Sequence, residues 1–253
     1  MIGVQGRHAL VTGGGRGIGR AIAAALSAAG ANVTVVGRTE RLLQEAAAAG
    51  DAKGWIVGDV TQPEAMIDNL RVIETVRGPV DILIANAGGA DSAPFAETTP
   101  TQFRGMFELN VMGVVNTTQA VLGGMVERKF GRVIAIASTA GVKGYGYVSA
   151  YCAAKHAVVG LVRSLAIETA KTGVTVNAVC PGYTDTEMMR ASVARIVEKT
   201  GRTPAEAEAA ILKNNPLGRF VKPQEVAAAV LYLCSADAAS MTGTTLMVAG
   251  GEL

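Results

Sequence analysis

Short apolar runs alternate with longer amphipathic or Ala-rich stretches along the whole chain. "HALVTG" (8–13), "NVTVVG" (32–37), "GWIVGDV" (54–60), "VDILIANAGG" (80–89), "GRVIAIAS" (131–138), "VTVNAVCPG" (174–182) and "TTLMVAGG" (244–251) predict seven strands. Helical composition covers 18–30, 39–49, 63–76, 99–127, 149–171 and 223–235 between them. Segment 186–214 is polar and helical, with Gly201 and Pro204 interrupting it. The strand runs are apolar on both faces, as a sheet covered on both sides by helices requires. The alternation predicts an α/β fold, one doubly wound parallel sheet with helices on both faces, spanning 1–253 as a single domain.

Composition narrows the function classes. Of the 253 residues, 49% are hydrophobic and 17% charged, so a large core is available. The net charge of +2, with scattered basic residues, lacks the concentrated footprint of a nucleic-acid binder. No apolar stretch reaches spanning length without Gly or charge interruptions, so no membrane partner is expected. The start of the chain lacks a basic region followed by an apolar run. Three cysteines without CxxC spacing suit a reducing, cytoplasmic setting. His8 and His156 lack acidic partners at ligand spacing, so no metal is expected, nor a hydrolase triad that needs a placed His.

Ligands of doubly wound sheets bind at the carboxyl ends of the strands. The first such end reads "TGGGRGIG" (12–19). A Gly-rich turn running into a helix N-terminus suits a pyrophosphate, and Gly13, Gly15, Arg16, Gly17, Ile18 and Gly19 form the candidate cradle. Neither GxGxxG nor the P-loop fits; TGxxxGxG does. The second strand end decides which dinucleotide. NAD enzymes of this fold commonly place an acid there for the ribose 2′-hydroxyl. Here Gly37 holds that place and Arg38 follows. Arg16 and Arg38 together suit a 2′-phosphate, so NADP(H) is favoured, with NAD(H) the alternative.

In "SAYCAAKHAVVG" (149–160), Tyr151 and Lys155 share one helix face. A nearby ammonium favours the phenolate and is expected to lower the Tyr151 pKa. With "NAG" at 86–88, Asn110, Ser138 and "PG" at 181–182 in order, the chain resembles the short-chain dehydrogenase/reductase family over nearly its whole length. The resemblance implies a Rossmann-like fold and a catalytic set of Ser138, Tyr151, Lys155 and Asn110. Tyr151 would be the acid in reduction, and Ser138 would bond the substrate carbonyl. Lys155 would bond the nicotinamide ribose, and Asn110 would hold a relay water. Asn86, Ala87 and Gly88 would line the cofactor, and Asp59 and Val60 would flank the adenine. Tyr151 and Lys155 would touch the cofactor too, as would Pro181 and Gly182, and Thr186 would bond its carboxamide. A homotetramer is implied as well.

The later motifs resemble ketoreductases and dehydrogenases of 3-oxoacyl thioesters. The implied reaction is NADP(H)-linked reduction of a ketone, such as a 3-oxoacyl thioester. Two other readings stay open: an NAD(H)-linked secondary-alcohol or 3-hydroxyacyl-CoA dehydrogenase, and a non-enzymatic dinucleotide-binding scaffold or sensor. Segment 187–215 would be a substrate lid, with Met188, Met189 and Val193 as an adaptable apolar wall. Tyr145 and Tyr147 are further candidates for substrate packing. Arg128 and Lys129 match one basic position of acyl-carrier reductases. At the second, Lys171 falls one place early, so an acyl carrier protein partner is left in doubt.

Overall fold

The structure, a computed structural model, describes residues 3–213 and 215–252. The seven expected strands are β1 (His8–Thr12), β2 (Asn32–Gly37), β3 (Gly54–Val57), β4 (Ile82–Ala85), β5 (Gly131–Ile136), β6 (Val174–Pro181) and β7 (Thr245–Val248). They pair in parallel, in the order β3-β2-β1-β4-β5-β6-β7. β1 lies between β2 and β4, where the winding reverses and opens a crevice.

Successive side chains of each strand feed two cores. Leu10, Leu83, Val133 and Val176 face one, while Val11, Ile82, Ile134 and Val179 face the other. The first is closed by α3 (Pro63–Arg77), α5 (Gly113–Glu127) and α6 (Ser149–Thr169). The second is closed by α1 (Gly17–Ala28), α2 (Glu40–Ala48) and α9 (Pro223–Cys234). Residues fully buried on both faces explain why the strand runs show no polar alternation.

Several elements depart from the sequence expectation. The strand segments 54–60, 80–89 and 244–251 pair over four residues each, because turns claim their ends. The Asp59 carboxylate, for example, accepts from Thr61 N at 3.0 Å and closes a turn after β3. The expected helix 99–127 is divided. α4 (Pro100–Phe107), started by a Thr99–Gln102 capping box, passes through a π-helical turn at Glu108–Met112 before α5.

The expected lid splits into α7 (Glu187–Thr200) and α8 (Pro204–Leu212), while residue 214 of that segment lies outside the described residues. Gly201, at φ 68°, ends α7 in the left-handed region. Thr203 and Glu206 then cap α8, with Pro204 at its first position. α6 is long and apolar enough to cross a membrane by length and composition, which the sequence reading did not allow for. It is instead a helix of the core, with Ala154, Val158, Val159 and Val162 buried against the sheet.

Candidate active site

The site is assembled where the strands end. The turn after β1 is held from both sides. Gly13 N donates to Val36 O at 2.7 Å. From the β4 end, the Asn86 amide nitrogen donates to Thr12 O at 2.9 Å and Gly13 O at 3.3 Å. Thr12 Oγ1 in turn accepts from the backbone of Asn86 and Ala87, each at 3.0 Å. Sequence reading gave Asn86 a cofactor contact and Thr12 none; the structure makes both braces of the glycine turn.

Glycine is needed here for space as well as conformation. Gly13 sits at φ 65°, and a Cβ on it would come within 2.8 Å of Asn86 Nδ2. A Cβ on Gly19 would collide with the Gly13 carbonyl and lie 2.5 Å from Asn86 Nδ2. Gly15 packs on Leu42 of α2. α1 begins at Gly17, so its N-terminal amides face the turn and suit a pyrophosphate. These residues fit a dinucleotide. Arg16 and Arg38 are both exposed beside it. Arg38 reaches Asp59 at 3.9 Å, a loose ion pair that leaves the guanidinium free to turn toward a ligand. Val60 is buried, and Asn116 Nδ2 holds its carbonyl at 2.9 Å.

The second cluster lies past β4 and β5. Ser138 caps a short turn at Thr139–Gly141, its hydroxyl accepting from Ala140 N at 3.1 Å. The Tyr151 hydroxyl, from the first turn of α6, meets that of Ser138. Lys155, one turn further on, is buried and donates to Ile136 O at 2.8 Å. Asn110, fully buried in the π turn, donates to Gly89 O and Met106 O, each at 3.0 Å. Its Oδ1 accepts from Gly89 N at 3.2 Å. A Cβ on Gly88 would lie 2.7 Å from Asn110 Oδ1 and 3.5 Å from Lys155 Nζ, so both groups converge on that glycine.

Electrostatics here correct one expectation. The Tyr151 phenol is not lowered: burial pushes it up to about 12, and the Ser138 hydroxyl pulls only partly against this. The same burial brings Lys155 down to about 8. Removal from water disfavours both charges, and the ammonium lies 5.7 Å from the Tyr151 ring centroid while bonded to Ile136 O.

The remaining candidates separate. Thr186 caps α7, accepting from Met189 N at 3.3 Å, with its methyl beside Gly17. Pro181 ends β6, and a Cβ on Gly182 would press on Ala249 at 3.2 Å. Met188 is exposed, Met189 half-buried and Val193 buried. Tyr145 is committed elsewhere: its hydroxyl pairs with Thr139 Oγ1 and Glu252 Oε1, both at 2.7 Å. Burial, reinforced by the Glu252 carboxylate, holds its pKa well above the ordinary phenol value. Tyr147 is exposed at φ 68°, its carbonyl accepting from Ala93 N. Arg128 is occupied at the opposite end of the sheet, where it donates to Val80 O at 2.7 Å and lies 3.9 Å from Asp81. Sequence reading missed Lys143 and Glu252, whose meeting across more than a hundred residues no local motif announces.

The profile described as short chain dehydrogenase matches residues 7–196, and the chain belongs to that family; it is an NAD(P)-dependent oxidoreductase. It is 41% identical to acetoacetyl-CoA reductase of Rhizobium meliloti over 97% of this chain and 98% of that one. Identity to D-beta-hydroxybutyrate dehydrogenase of Cupriavidus necator is 36%, over 98% of each. Among solved structures, a variant of actinorhodin polyketide ketoreductase with NADPH superposes with a TM-score of 0.93. It shares 37% identity, over 97% of this chain and 96% of that one.

Proposed function

We propose that the protein reduces a 3-oxoacyl thioester to the secondary alcohol with NADP(H), using Tyr151 as the proton donor. The observation that carries this reading is the convergence of Ser138, Tyr151, Lys155 and Asn110 beside the braced glycine turn, with Tyr151 neutral at pH 7. Gly13, Gly15, Gly17, Ile18 and Gly19 receive the pyrophosphate, while Arg16 and Arg38 meet the 2′-phosphate. Asp59 and Val60 border the adenine. Ala87 and Gly88 pass along the ribose, and Pro181, Gly182 and Thr186 border the nicotinamide, which supplies the hydride when bound.

Ser138 orients the substrate carbonyl and stabilises the oxygen as it gains charge. The Tyr151 hydroxyl delivers its proton to that oxygen. Lys155 keeps a positive charge at neutral pH beside the phenol, and Asn110 orders the path by which the proton is replaced. α7 and α8 cover the substrate as a lid of the single domain, with Met188, Met189 and Val193 on it. The thioester is supported by the names of relatives that match nearly the whole chain. A homotetramer and a cytoplasmic setting accompany this reading; three free, buried cysteines suit the latter. Acetoacetyl-CoA with NADPH and with NADH tests it. Turnover with a clear NADPH preference is expected; NADH preference would remove the role given to Arg16 and Arg38.

A further inference from the structure

A cavity of about 450 Å³ is walled by the loop Lys143–Gly146 together with Tyr183, Ile196, Arg202 and Glu252, and the Tyr145 hydroxyl ties that loop to Thr139, next to Ser138. Glu252 comes from the last turn of the described chain, yet its side chain is only 1% exposed. Lys143 Nζ lies 3.3 Å from Glu252 Oε1, and the Tyr145 hydroxyl donates to the same oxygen at 2.7 Å. Oε2 is buried near Gly182 and has no hydrogen-bond partner among the described residues. A carboxylate taken from water is held by its partners, so the Lys143 charge is matched internally. Arg202 stands on the exposed turn between α7 and α8, where solvent screens it.

We propose that the Lys143–Glu252 pair determines which substrate charge the site accepts. The pair leaves the inner cavity electrically neutral. A substrate arm that enters this cavity is therefore an uncharged ester or thioester, not a free carboxylate. This inference rests on the ketone-reduction reading and narrows its substrate class. The named relatives include both a reductase of a CoA thioester and a dehydrogenase of a hydroxy acid. A free 3-oxo acid entering here would meet the Glu252 charge with the Lys143 ammonium already engaged. Discrimination would thus come from a repulsive element as well as an attractive one.

The test is kcat/KM with NADPH for acetoacetate and its ethyl ester, in the wild type, Glu252→Gln, Lys143→Gln and the double variant. Glu252→Gln keeps the size and an acceptor for Tyr145, and thermal melting of each variant checks the fold. The wild type is expected to favour the ester by at least about tenfold. Glu252→Gln releases the ammonium and moves the ester-to-acid ratio toward the acid by about tenfold, whereas Lys143→Gln moves it the other way. A wild-type preference for the acid, or a ratio unmoved in both single variants, overturns the charge assignment alone. Failure of the wild type to turn over the ester and acetoacetyl-CoA alike overturns the ketone-reduction reading beneath it.

Discussion

The glycine turn at the end of β1 and the cavity wall near the end of the chain, proposed above to hold cofactor and substrate, are built by different means. Around β1 and β4 the work is done by backbone: glycines without room for a Cβ, amides at a helix start, backbone amides held by Thr12 and carbonyls held by Asn86. Around α7, α8 and the end of the chain it is done by side chains from distant segments, with Lys143, Tyr145 and Glu252 meeting across a cavity. A backbone cradle accepts one kind of ligand and tolerates little change. A side-chain wall is retuned by single substitutions, which suits a family whose members act on different carbonyl compounds.

Tyr151 lies between the two sides, and its loss is expected to have the largest effect. Tyr151→Phe removes the proposed proton donor and should lower kcat/KM by about 10³-fold with an unchanged melting temperature. Retained turnover would move the proton donor elsewhere. Next is the cradle itself. Gly19→Ala drives a methyl into the Gly13 carbonyl and should weaken NADPH binding by about 10²-fold, read by fluorescence titration. Weak loss there would mean that the turn yields, and the contrast between rigid and tunable sides would fail.

The pH profile should show a smaller change. Lys155, lowered to about 8, loses its charge as pH rises through that value, while Tyr151 stays protonated to about 12. The kcat/KM for reduction should therefore hold below pH 8 and fall toward tenfold per unit above it. A flat profile to pH 10 would separate Lys155 from the chemistry. The smallest effect is expected on the proposed lid. Gly201→Ala meets open space but forces φ 68° on an L-residue, costing about 1 kcal/mol at the end of α7. Substrate KM should change while NADPH affinity does not.

This division also governs what the sequence made legible. Strands buried on both faces and a Gly-rich turn are local patterns, so all seven strands and the glycine turn after β1 could be read directly. That Tyr151 and Lys155 share one helix was legible from their spacing; their spacing alone did not point to a role. The sign of the Tyr151 shift was not, because burial is a property of the packed molecule and outweighed the neighbouring ammonium. The π turn escaped notice because Glu108–Met112 has ordinary helical composition; its cause is the Asn110 side chain occupying the Met106 carbonyl. Glu252 was invisible for a simpler reason: nothing near the chain end indicates a partner at position 143.

The π turn has a reach beyond its own five residues. One extra residue in a helix advances the phase of everything after it by about 100°. Because of that offset, Gly113 faces Val60, with room for no Cβ, and Asn116 reaches the Val60 carbonyl at 2.9 Å. Asn110 and Val60 are thereby geared together like teeth on one shaft. Deleting a single residue from the turn would rotate α5 out of mesh, disturbing its contact with Val60 and the Asn110 bonds to Gly89 in one stroke.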